Sequence, residues 1–113
     1  MTHAELYEIV KDVPKEAWPE GLAYIRDEWW VYGPPSGEYV APSLAEEAFL
    51  GSMTRYLINN TARESSPHHG EEVRMVIDTD GATPTVAVDI GGCNWYHGAT
   101  DIEALAAACK EIA

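Results

Sequence analysis

Four side chains with metal-ligating chemistry fall in two short stretches. His68 and His69 stand in Ser65-Ser66-Pro67-His68-His69-Gly70, and Cys93 and His97 bracket Asn94-Trp95-Tyr96. Imidazole and thiolate suit zinc, and two loops can converge on one ion. The spacing argues otherwise: three residues separate Cys93 from His97, and adjacent histidines seldom turn both rings to one metal. The plainer reading is two solvated loop histidines, a packed cysteine and a histidine beside an aromatic strand. No metal or other cofactor is expected. Asp78, Asp80 and Asp89 are the acid/base candidates, since carboxylates at strand ends can share a proton or hold magnesium. Yet Asp78 and Asp80 flank an Asp-Gly turn, where aspartate is favoured for local hydrogen bonding. Asp78-Thr79-Asp80-Gly81 also lacks the downstream bidentate glutamate of a calcium loop. The chain holds no G-x-S-x-G and no phosphate-binding glycine loop, and Gly91-Gly92 is better read as a bulge or bend. No catalytic residue is expected.

Binding chemistry is better represented. Trp29, Trp30, Tyr32, Tyr39, Trp95 and Tyr96 come from segments with strand character, and tryptophan and tyrosine anchor protein interfaces. The chain carries 19 acidic against 7 basic side chains, a net charge of −12. That balance excludes direct nucleic-acid binding, which needs Lys and Arg on phosphates. It also disfavours anionic membrane surfaces. It suits a basic protein partner, drawn in by long-range attraction. The residues expected to meet such a partner are Glu64, Glu71 and Glu72 around a mobile loop, with Trp29 and Trp30 as anchors.

These side chains need elements to position them. Length and composition fit one domain, residues 1–113. Thr2 and Glu5 form a capping box opening a first helix, with Leu6, Ile9, Val10 and Val13 as its stripe and Pro14 as its stop. Lys15–Gly21 is a bend or single turn, from which Trp18 packs back on the core. Leu22–Arg26 is ambiguous between helical turn and strand. Glu28–Tyr32 and Glu38–Ala41 read as a hairpin around Gly33-Pro34-Pro35-Ser36-Gly37. One of two adjacent strand tryptophans must face the core.

Ser43 and Glu46 form a second capping box, and Leu44, Ala48, Phe49, Met53, Tyr56 and Leu57 repeat at helical spacing until Asn59-Asn60. Glu72–Asp78 and Thr85–Ile90 are strands joined by an Asp-Gly turn, and Asn94–His97 is a short further strand. Thr100 and Glu103 cap a last helix with Ile102, Leu105, Ala106, Cys109 and Ile112 on one face. Cys109 is therefore a small core residue. Two cysteines make no disulfide framework. No apolar run reaches the ~20 residues of a membrane span, and Met1–Glu5 has no signal-peptide character, so the expected compartment is the cytoplasm. The expected fold class is α+β: one small domain with a mostly antiparallel sheet of four to five strands covered by helices. Four apolar positions in Thr85–Ile90 favour a strand buried on both sides, hence an α-β-α sandwich.

This layout resembles the phage ABA sandwich domain, a family of small proteins encoded by phages and prophages. Trp29-Trp30-Val31-Tyr32 through Tyr39-Val40-Ala41-Pro42 leads straight into Ser43-Leu44-Ala45-Glu46-Glu47-Ala48. The ending Gly98-Ala99-Thr100-Asp101-Ile102-Glu103-Ala104-Leu105-Ala106-Ala107-Ala108-Cys109-Lys110 is similar to that family's closing helix. The Leu44 that follows Ser43, and the long His68-His69 loop, depart from its pattern. The resemblance implies a phage origin, a helix-sheet-helix sandwich and no catalytic residues.

The expected function is non-enzymatic: an acidic phage protein, acting in the host cell, that binds a host protein with a basic surface. It would inhibit a defence or nucleic-acid-binding protein by offering carboxylates in place of phosphates. One alternative is a metal- or small-molecule-binding domain with weak hydrolase activity, using His68, His69, Asp78 and His97. Another is a structural or accessory phage protein that forms a homodimer through the exposed hairpin edge.

Overall fold

The computed structural model describes residues 1–33, 36–79, 83–92 and 94–112. Among them the chain runs α1 (His3–Val10), a 3-10 turn (Lys15–Ala17), β1 (Leu22–Ile25), β2 (Glu28–Gly33), β3 (Ser36–Val40), α2 (Pro42–Ala62), β4 (Val73–Asp78), β5 (Thr85–Ile90), β6 (Asn94–Gly98) and α3 (Asp101–Ile112). The ambiguous segment after Gly21 is thus a strand. Pro34, Pro35, Asp80, Gly81 and Cys93, and with them the expected Asp-Gly turn, lie outside the described residues.

The helix starts follow their caps unequally. At α1 the box is complete: the Glu5 amide donates to Thr2 Oγ1 at 3.1 Å, and the Thr2 amide donates to Glu5 Oε1 at 3.2 Å. At α3 the Glu103 amide donates to Thr100 Oγ1 at 3.4 Å, while the Glu103 carboxylate reaches back to the Ala99 amide at 3.2 Å. At α2 the expected Ser43 box does not form; Ala41 is the N-cap and makes no side-chain bond. Pro42 explains the shift, because its fixed φ suits the first helical position and it has no amide to satisfy. The helix also runs on to Ala62. Ala45, Phe49, Met53 and Leu57 are its buried row, whereas Leu44, expected inside, is exposed.

The six strands form two sheets rather than one. Strands β1-β2-β3 make one antiparallel meander and β4-β5-β6 another. The cause lies between them. The 21 residues of α2 carry the chain roughly 31 Å at 1.5 Å per residue, so β4 starts far from the edge that β3 left. It pairs with β5 instead, from Val73 opposite Ile90 to Asp78 opposite Thr85. The α-β-α sandwich is corrected at the same time. The smallest dimension is 17 Å, which suits two packed layers, at about 10 Å per layer spacing, rather than three. Strand β5 is central and buried from Ala87 to Ile90, as its composition demands.

One apolar core joins both sheets to the helices, with Leu6 and Val10 from α1, Phe49 and Met53 from α2, Val88 and Ile90 from β5, and Ile102 and Cys109 from α3. Trp29 lies at its aromatic end, with ring centroids 5.0 Å from Tyr24, 5.3 Å from Phe49 and 5.5 Å from Trp18.

Burial pushes the Cys109 thiol up to about 12 from its ordinary value of 9.0. The folded state therefore keeps a proton that the unfolded chain releases, and stability is expected to fall as pH rises between those values. Urea midpoints measured from pH 8 to 11 should decline more steeply for the wild type than for Cys109→Ala, each compared with its own midpoint at pH 8. Parallel curves would show that the thiol does not contribute.

Candidate binding face

Strand alternation splits the first hairpin into two chemistries. Trp29 pairs with Tyr24 and Val40, which places these three on the helix side. Trp30 pairs with Ala23 and Tyr39, and Tyr32 with Gly37, so this second set faces away from the helices. Among the described residues no helix covers that outer face. Tyr39 is 55% exposed, Tyr32 52% and Ile25 39%, with Trp30 half-buried between them. A cleft of about 510 Å³ opens along Ile25, Arg26, Glu28, Trp30, Tyr32 and Gly37.

Local structure sets these rings in place. Gly37 has no Cβ, and the Tyr32 ring lies across it; an added Cβ would meet Tyr32 Cε1 at 2.9 Å. Trp30 and Tyr39 meet edge to face with centroids 6.0 Å apart. His3 bonds the Tyr39 hydroxyl through Nε2 at 2.8 Å, and its Nδ1 accepts the Trp29 amide at 3.3 Å. Since Nδ1 accepts there, Nε2 carries the proton and donates to the tyrosine. Beside the cleft, Arg26 and Asp27 make the β1–β2 turn with φ of 53° and 64°. Both central residues of a two-residue type I′ hairpin need positive φ, a conformation that costs a non-glycine residue about 1 kcal/mol or more. Ordered aromatic rings give contact area at a low cost in side-chain entropy.

The expected anchors separate here. Trp29 is 0% exposed, so it is withdrawn as a partner contact: its ring fills the core, and its Nε1 donates to the His3 carbonyl at 3.3 Å. Trp30 remains on the outer face. The sequence named Tyr32 and Tyr39 only as members of an aromatic set and missed Ile25, His3 and Gly37. The alternation of Glu28, Trp30 and Tyr32 against Trp29 and Val31 is the signal that groups the residues of this face, without saying which set is outside.

The three glutamates are not equivalent either. Glu64 and Glu72 are exposed, but the Glu71 carboxylate bonds His68 Nδ1 at 2.8 Å and packs on Gly91. The loop expected to be mobile is a chain of hydrogen-bonded turns. Ser66 Oγ donates to Asn60 Oδ1 at 2.7 Å, the Gly70 amide to the Thr61 carbonyl at 2.8 Å, and the Gly91 amide to the Glu72 carbonyl at 2.9 Å. Its Ser, Asn and His side chains bond locally instead of leaving the backbone to solvent.

The second sheet also has an outer face, bearing Arg74, Asp78, Asp89, Trp95 and His97. Asp89 is fully buried there. Its Oδ2 accepts from Arg74 at 2.7 Å, while Oδ1 has no hydrogen-bond partner among the described residues. That bond, then the charge of Asp89, holds the Arg74 guanidinium further toward its protonated form. Asp78 Oδ2 lies 3.0 Å from His97 Nε2. His68 and His97 therefore go to different carboxylates, and among the described residues no three His, Cys, Asp or Glu side chains converge as a metal set. No helix of the described residues is long and apolar enough to cross a membrane. A scan against models of known families and searches of curated proteins and of solved structures give no match to this chain.

Proposed function

We propose that this chain is a non-enzymatic binding protein that docks on a basic surface of a host protein through the outer face of β1–β3. The observation that carries the reading is the uncovered aromatic face at Ile25, Trp30, Tyr32 and Tyr39, set on a chain of net charge −12. Contiguous exposed apolar surface marks interaction sites in soluble proteins. The acidic field accelerates encounter with a basic partner, and the aromatic rings supply contact area once it is docked. Glu28 within the cleft, and exposed Glu64 and Glu72, offer carboxylates to Lys and Arg. A protein that presents carboxylates where its target expects phosphates acts as a competitive inhibitor of a nucleic-acid-binding or defence protein. The phage origin in this proposal rests on the resemblance of the hairpin and closing helix to the phage ABA sandwich domain.

The test compares the wild type with a Tyr32→Ser, Tyr39→Ser double variant in pull-downs from a host lysate at 50 and 300 mM salt. A basic protein should be retained by the wild type at low salt, weakened at high salt and lost from the variant at both. Identical retention by the two proteins would sink the proposal. Light scattering across a concentration series reports self-association through the same face, which would replace the host partner by a second copy.

A further inference from the structure

A second cleft, of about 660 Å³, lies between the 3-10 turn and α2. Its chemistry runs against the rest of the molecule. Arg55 and Asn59 stand one turn apart on one side of α2, and Arg63, four residues on, is the C-cap residue of that helix. All three line this cleft. In a chain with 19 acidic side chains, three of the five cations elsewhere have partners: Lys11 bonds Glu8 at 2.8 Å, Arg74 bonds Asp89, and Lys15 sits 3.3 Å over the Trp18 ring. Among the described residues, neither Arg55 nor Arg63 makes an ion pair or a side-chain hydrogen bond. The negative end of the α2 dipole accounts for a cation at Arg63, but its influence does not extend two turns back to Arg55.

The remaining walls define what the arginines would hold. Trp18 and Tyr56 give the cleft an aromatic surface, and Glu16 and Glu20 complete it with carboxylates. Tyr56 senses both charges: burial chiefly raises its pKa, Glu16 raises it further, and Arg63 opposes them. A guanidinium pair takes phosphate oxygens by bidentate hydrogen bonds. An aromatic wall takes the flat face of a base, and a carboxylate accepts from base N–H groups. The volume falls within the range of small-molecule pockets.

We infer that this cleft is a nucleotide-binding site, with Arg55 and Arg63 on the phosphate, Tyr56 against the base beside the exposed part of Trp18, whose ring Lys15 covers on one face, and Glu16 and Glu20 accepting from the base edge. Guanine is the matched base, because its edge places two N–H donors side by side. A single nucleotide escapes the exclusion that applies to nucleic acid: a polymer of phosphates meets the full −12, whereas one phosphate meets two arginines locally. The site is separate from the outer face of β1–β3 and stands whether or not that face binds a protein.

Isothermal titration at fixed ionic strength tests it, with guanosine monophosphate, adenosine monophosphate, guanosine and inorganic phosphate as probes. The nucleotides should bind with one-to-one stoichiometry, and phosphate or guanosine alone at least tenfold more weakly. Arg55→Gln and Arg63→Gln, both surface changes, should each weaken the nucleotide tenfold or more, while the Tyr32→Ser, Tyr39→Ser variant binds as the wild type. No heat from either nucleotide at millimolar concentration would overturn the site, as would unchanged affinity in both arginine variants. Phosphate binding as tightly as nucleotide would reduce it to an anion site, and equal affinity for both nucleotides would overturn the role of the glutamates.

Discussion

Replacing Trp29 with alanine should cost about 3–5 kcal/mol, the range for deleting a large buried aromatic. Four rings pack on this side chain, from Tyr7, Trp18, Tyr24 and Phe49. The substitution also removes the indole donor to the His3 carbonyl, which ties the start of α1 to β2. Small domains have only about 5–15 kcal/mol in hand, so a large share of the stability would go. Urea unfolding reads the loss directly. Should Trp29→Ala prove too unstable to purify, Trp29→Phe keeps part of the volume and should show a smaller loss of the same sign. Trp30→Ala, one residue on, should cost much less, because that half-buried ring lies on the uncovered face and loses mainly its contact with Tyr39. Equal losses at the two positions would mean that the two faces are wrongly assigned.

Gly98→Ala should cost about 3 kcal/mol, the upper end of what overpacking does to a well-packed site. A Cβ at Gly98 would stand 2.5 Å from the Ala104 amide nitrogen and 2.7 Å from Glu103 Cβ. The first is helix backbone and cannot swing aside, so β6 and α3 would have to separate. Gly51 offers the opposite case. It lies within α2 with nothing within 4 Å of an added Cβ, so Gly51→Ala should stabilise by about 0.5–1 kcal/mol through backbone entropy alone. Thermal melts of the two variants against the wild type give the comparison. A Gly98→Ala protein as stable as the wild type would show that the strand-to-helix approach is looser than 2.5 Å implies.

Much of the local structure was legible. Thr2 with Glu5 and Thr100 with Glu103 located two helix starts, because a cap is chemistry confined to four consecutive residues. Strands at 73–78 and 85–90 followed from β-branched residues, and Trp18 and Cys109 were placed in the core from their positions beside or on apolar stripes. The Ser43 cap does not form for an equally local reason: Pro42 itself occupies the first helical position. The bonds of the loop after α2, Ser66 to Asn60 and His68 to Glu71, were not legible because they depend on how the chain folds back after that helix.

The binding face shows where sequence stops. Alternation in 28–32 required that one tryptophan be inside and the other outside, but a two-residue period has no sign, and Trp29 and Trp30 are chemically the same. Only the docking of Phe49, Trp18 and Tyr7 on one side of the hairpin made Trp29 core and left Trp30, Tyr32 and Tyr39 uncovered. The arginine cleft is tertiary in the same sense. The spacing of Arg55, Asn59 and Arg63 is visible as helical periodicity, yet nothing local says that a 3-10 turn some forty residues earlier will bring Trp18 and Glu16 opposite them. What this sequence determined by itself is its caps, its strand and helix periods and its charge, all of which act within one or two turns or as a sum over the chain. Which sheet each strand joined, and which faces stayed open, was decided by packing, because burial depends on the elements that arrive from elsewhere in the chain.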